Sequence, residues 1–93
     1  MFHAGIPDTP ENRALVRKEY LKGYLLYRIE EGYRTLDALV TAPLNLEHIM
    51  LARNPPKKEE LQEGIDFLIE RKELIVQEDG TYKTCLEIEL QKA

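Results

Sequence analysis

Few side chains of this sequence are equipped for catalysis or for holding a metal. Cys85 is the one cysteine, and His3 and His48 are the two histidines, in 93 residues. One thiol cannot close an intrachain disulfide. These three side chains also fall at no zinc spacing, where four cysteines or histidines come in close pairs. A nucleophilic or redox thiol needs a lowered pKa, and only Lys83, two positions away, offers a nearby cation, so Cys85 reads as a passive strand residue. His48 stands beside Glu47 without a further partner and reads as a rim histidine, and His3 as a solvated terminal one. Gly64 and Gly80 are isolated and form no Gly-rich phosphate loop. With no nucleophile motif and no metal spacing, the expectation is a protein that is not an enzyme and that uses no cofactor.

Charge is the other chemical feature. The chain carries 13 Lys or Arg and 17 Asp or Glu, a net charge of -4. Its halves differ: up to Lys58 there are nine basic residues against seven acidic ones, and from Glu59 onward four against ten. Glu59, Glu63, Asp66 and Glu70 recur at spacings of four, three and four, which puts them on one face of a helix. Screening over about 10 Å at 0.1 M salt leaves room for a local basic patch on an acidic protein.

A 43% hydrophobic composition over 93 residues allows one small domain, in which about 60 to 65% of the unfolded chain's surface is buried. The opening residues show no basic stretch followed by an apolar run, and no segment nears the roughly 18 apolar residues of a membrane span. The expected setting is cytoplasmic, with no membrane partner.

The elements follow from changes of hydrophobic rhythm. Residues 1–8 are expected to be a loose arm, and residues 9–93 a single domain. Thr9, Pro10 and Glu11 make a helix start, and Gly32 a stop after about Glu31. Ala14, Leu21, Leu25 and Ile29, flanked by Leu15 and Leu26, supply an aliphatic side. Val16, Tyr20, Tyr24 and Tyr27 read as a second stripe roughly opposite. A helix apolar on two sides needs two neighbours: the tyrosines either pack beneath the N-terminal arm or the C-terminal strand, or Tyr20, Tyr24 and Tyr27 form a homodimer interface. Tyr33 and Arg34 read as a tiny edge strand, and Thr35 as the cap of a short helix over Leu36 to Ala42. A further helix is expected from Leu46 to about Arg53, capped by Asn45 and ended by Asn54, Pro55 and Pro56. Leu61, Ile65, Leu68 and Ile69 form the stripe of a helix from Lys57 to about Lys72. Leu74, Ile75 and Val76 make a short strand, and Glu78 to Thr81 a tight turn around Asp79 and Gly80. From Tyr82 to Leu90 the residues alternate, which predicts a long second strand with one wet face.

The run from Gly64 to Ile75, followed by Asp79, Gly80 and Tyr82, resembles the winged-helix superfamily of DNA-binding domains. The helix end, the charged cap, the Leu-Ile strand and the wing fall in that order, and the likeness covers most of the chain from Thr9 on. It implies an α+β fold, a winged helix of three or four helices followed by a C-terminal β-hairpin wing. It also implies a DNA-binding protein acting as a transcriptional regulator on double-stranded DNA, with the helix from Lys57 as recognition helix. Under that resemblance Lys57 and Lys58 would meet phosphate at the helix start, Gln62 would reach a base edge, and Arg53 and Arg34 would hold backbone. Lys83 would touch a flanking phosphate from the wing. The acidic outward face of the same helix points to the competing class, a winged-helix module that docks on protein and not nucleic acid.

Overall fold

The computed structural model describes residues 7–44 and 49–92. Helix α1, Pro10–Glu31, starts where Thr9 Oγ1 accepts the Asn12 N–H at 3.2 Å. Pro10 occupies a first-turn position whose missing N–H costs nothing. Its far end closes with the Gly32 N–H donating to the Ile29 carbonyl and the Tyr33 N–H to Arg28, which needs Gly32 at a φ of 123°. Helix α2, Leu36–Thr41, is capped by Thr35, whose hydroxyl oxygen accepts the Ala38 N–H at 3.1 Å. Helix α3, Ile49–Arg53, brings Leu51 into the core. The expected Asn45 cap, the start of that helix at Leu46, and His48 lie outside the described residues.

Helix α4, Lys58–Glu70, packs against α1 and α2 through Leu61, Ile65 and Leu68, all essentially inaccessible to solvent. The α1–α4 approach is closest at Gly64, where a Cβ would stand 2.6 Å from Leu25 Cδ1. Leu25 and Ile29 of α1, Leu39 of α2 and Leu51 of α3 complete one apolar cluster with Leu74 and Tyr82. Strands β1, Leu74–Val76, and β2, Tyr82–Thr84, pair antiparallel with Leu74 opposite Thr84 and Val76 opposite Tyr82. Their turn is held by the Asp79 carboxylate, which accepts the Thr81 N–H at 3.0 Å, with Gly80 at a φ of 87°. The described residues thus form a mixed helical and antiparallel β arrangement, an α+β layout.

Several expectations are corrected. The second strand does not run to Leu90: it ends at Thr84, and helix α5, Cys85–Lys92, follows at once. The cause is local. Thr84 Oγ1 accepts the Glu87 N–H at 3.2 Å, while Glu87 Oε1 accepts the Thr84 N–H at 3.1 Å. This reciprocal capping box starts a helix where alternation alone would continue a strand. Cys85 is accordingly a first-turn helix residue, its thiol donating to the Lys72 carbonyl at 2.5 Å.

Tyr33 and Arg34 form no third strand; the Arg34 carbonyl makes a single ladder-like contact, accepting the Tyr82 N–H at 2.7 Å. Tyr24 does not join an outward stripe. It lies three residues from Leu21 and one from Leu25, hence within about 100° of both, and is 5% exposed inside the core. Tyr20 packs partly buried against the same cluster, and Tyr27 faces outward. Ala14 and Leu15, expected in the core, are exposed. The 13 residues of α4 span about 20 Å, against about 33 Å for the 22 of α1, so the first turns of α1 lie beyond its cover.

Helix α4 closes as α1 does. The Lys72 N–H donates to the Ile69 carbonyl and the Glu73 N–H to Leu68. This time the left-handed residue is Lys72, at a φ of 63°. A side chain there costs about 1 kcal/mol relative to glycine. Lys72→Gly is therefore expected to raise the free energy of unfolding by about 1 kcal/mol, read from urea midpoints; an unchanged or lowered midpoint would contradict this closure.

Candidate functional site

Arg34, placed by the α1–α2 connection, is the hub of the polar structure. Its guanidinium donates to both carboxylate oxygens of Glu87, at 3.0 and 2.6 Å, and to the Tyr82 carbonyl at 3.0 Å. Thr84 Oγ1 adds a 2.8 Å bond to Glu30 near the end of α1. The Arg34 fork is the main cause that lowers the Glu87 pKa to about 2; burial works against it, and Thr84 assists. Arg34 thus holds the hairpin and α5 in place, with its guanidinium engaged by Glu87 and the Tyr82 carbonyl.

The other expected contacts separate. Gln62 Nε2 donates to Asp66 on the next turn at 2.8 Å, so its amide is engaged along α4 and is not presented as a lone base reader. Lys83, half-buried on β2, stands opposite Ile75. Arg53, Lys57 and Lys58 are exposed around the connection from α3 to α4. Lys58 Nζ approaches Asp37 only to 3.9 Å, between two exposed groups whose attraction is worth little. A depression of about 380 Å³ beside Lys57 is lined also by Arg17, Glu59, Glu60 and Glu63, three carboxylates to two cations.

That acidity extends along the helix. Glu59, Glu63, Asp66 and Glu70 are all exposed on α4, and the hairpin tip adds exposed Glu78 and Asp79. Glu60, turned toward α1, is held by a second fork: Arg17 donates to its two oxygens at 2.6 and 2.9 Å and to the Asn54 carbonyl at 2.8 Å. The Arg17 hydrogen bond lowers the Glu60 pKa. Next to this pair a groove of about 480 Å³ opens between α1 and α4, lined by Leu15, Lys18, Lys22, Glu63, Gly64 and Phe67, among others. The Phe67 ring lies 4.8 Å from Lys22 Nζ and 5.4 Å from the Arg71 guanidinium.

Arg28, 4% exposed, is stacked between Tyr24 and Tyr33 and donates to Glu31 and to the Pro43 carbonyl. It ties the end of α1 to the chain after α2, a structural task. Among the described residues no group of three or more His, Cys, Asp or Glu could hold a metal ion, and no helix is long and apolar enough to cross a membrane.

No family model matches the chain, and neither the curated proteins nor the solved structures include a match to it. The surface therefore has to be interpreted from its own chemistry. Sequence reading missed the Thr84 to Glu87 box, although a threonine three residues before a glutamate is a visible signal for it. The Arg34–Glu87 and Arg17–Glu60 forks leave no such signal, because their partners are 53 and 43 residues apart.

Glu87 has a lowered pKa in the folded chain, so its contribution is fully present above the ordinary 4.5 and is lost as pH falls from there toward about 2. Partial exposure to solvent reduces the stabilisation to about 2 kcal/mol. Glu87→Gln is expected to lower stability by that amount at pH 7 and to flatten the loss of stability below pH 4.5. Equal acid sensitivity of parent and variant in urea titrations would contradict it.

Proposed function

We propose that this chain is a winged-helix-type binding module whose α4 face docks on a basic surface of a partner protein, in place of the DNA groove that such a helix otherwise enters. In this reading α4 stands where the recognition helix would be and β1–β2 is a wing cut short by α5. One observation carries the reading: the outward face of α4 presents Glu59, Glu63, Asp66 and Glu70. A carboxylate about 7 Å from a phosphate is repelled by about 0.6 kcal/mol in water and about 2 kcal/mol at an effective dielectric near 20. Along the helix these four carboxylates are uninterrupted by cations, the three exposed cations Arg53, Lys57 and Lys58 lying at its start and Arg71 and Lys72 past its end. The same face is attractive to Lys and Arg, with strong dependence on salt and a fast encounter.

A second reading keeps the DNA-binding regulator and rests on those three cations, which flank one connection at the start of α4. There the first helical turn alone would contact a duplex.

The two separate in one titration series. Fluorescence anisotropy with a Lys- and Arg-rich helical peptide is expected to show binding that Glu63→Lys with Asp66→Lys removes. A mixed-sequence DNA duplex is expected to bind no tighter than about 100 µM even at about 50 mM salt, the weak end of ordinary non-specific affinity. Failure of the peptide to bind overturns the protein-docking reading. So does duplex binding that falls steeply with salt and vanishes in Lys57→Glu with Lys58→Glu.

A further inference from the structure

An apolar groove and the acid row of α4 lie side by side on this surface. The groove runs between α1 and α4, and its walls carry Leu15 and Phe67, 59% and 41% exposed. Its floor is closed at Gly64, where a Cβ would stand 2.6 Å from Leu25 Cδ1. The lining extends from Leu15 to Lys22 on α1 and from Glu60 to Phe67 on α4, about 10 Å along each helix. Two turns of a third helix have that length. Such a helix, about 10 Å across, fills about 800 Å³ over two turns. The groove holds about 480 Å³, so it takes one side of the helix and leaves the other outside.

Charge separates the inside of the groove from its α4 rim. Within it Lys22 pairs with Glu19 at 2.7 Å, Glu60 is held by Arg17, and Lys18 is exposed. Lys22 and Arg71 stand 4.8 and 5.4 Å from the Phe67 ring. A further cation placed inside is therefore repelled. At 100° per residue Glu63 lies about 40° outward of Phe67 on α4, and Glu70, Glu59 and Asp66 follow within about another 60°. These four exposed carboxylates border the groove along three turns of the helix.

Given the docking reading above, on which this rests, we infer that the partner's basic surface is one flank of an amphipathic helix. Its apolar stripe, at i, i+4 and i+7, seats between Leu15 and Phe67, and Lys or Arg along the flank nearer α4 meets Glu59, Glu63, Asp66 and Glu70. An apolar helix stripe laid in a groove is a recurring recognition mode, and complementary charge on the rim fixes its placement. The chain's own α5 is not that helix: Leu86 and Leu90 are exposed on it, but Glu89 beside them has the sign of the acid row.

The test uses the full chain and a synthetic helical peptide of about 15 residues, long enough to span the row, with Leu at i, i+4 and i+7 and Lys along one flank. Fluorescence anisotropy is expected to show binding that weakens at least about tenfold, the equivalent of about 1.4 kcal/mol, when the peptide's Leu residues become Ser and every Lys is kept. The same loss is expected in Leu15→Ser, whose exposed position leaves the core intact; urea midpoints show that the variant is folded. Binding that is lost in Glu63→Lys with Asp66→Lys, yet unchanged by the Ser peptide and by Leu15→Ser, would keep the acidic docking face and overturn the groove. A peptide that does not bind at all overturns both. A chain that sediments alone at twice 10.8 kDa, and as a monomer after Leu15→Ser, would give the groove to a second copy and likewise overturn the proposal.

Discussion

The forked contact between Arg34 and Glu87 is where the separate parts of this molecule are joined. Arg34 belongs to the connection between two helices, yet its carbonyl takes the Tyr82 N–H and its guanidinium holds both the Tyr82 carbonyl and the Glu87 carboxylate. Glu87 in turn caps the helix that replaces the rest of the strand. One ion pair therefore fixes the edge of the hairpin, ends β2 and orients α5. A bidentate arginine suits that task because its planar fork matches a carboxylate in direction as well as in charge.

The apolar core supplies a different constraint. Helices α1 and α4 meet over Gly64, and the contact is close because no side chain intervenes. Closeness there positions Leu61, Ile65 and Leu68 against Leu21, Leu25 and Ile29. With those residues turned inward, the acids of α4 at the intervening positions face outward. Packing and surface chemistry are thus two consequences of one helical periodicity. The residues at three-to-four spacing are apolar, and the positions between them carry carboxylates.

Much of this layout is legible in the sequence where local rules act alone. Thr9 and Pro10 start α1 and Gly32 stops it, Thr35 caps α2, and Leu74 to Val76 form a strand, each as the residue types imply. Legibility fails where two rules compete. Leu86, Ile88 and Leu90 alternate as a strand does, but Leu86 and Leu90 also share a helical stripe, and the Thr84–Glu87 box decides in favour of the helix. Tyr24 shares its residue type with Tyr20 and Tyr27 but its helical angle with Leu21 and Leu25, and the angle places it inside. Arg34 shows the same limit in the candidate site. A basic residue beside a helix start looks available for phosphate, and only the fold reveals that a glutamate 53 residues later has claimed it.

Function follows from what the fold leaves outside. With Arg34 engaged and Gln62 bonded along its own helix, the outward surface of α4 is dominated by carboxylates. Exposed cations stand at the two ends of that helix, Arg53, Lys57 and Lys58 before it and Arg71 and Lys72 after it, and the exposed apolar residues are spread over α1, α2, α4, β1 and α5. All of it presupposes that Arg34 is bound inward. The most direct measurement is an NMR titration of the Glu87 side-chain carboxyl in the intact chain. A midpoint near 2 is the value that an engaged Arg34 imposes; an ordinary midpoint near 4.5 would mean that the arginine is free and that the surface has been misread.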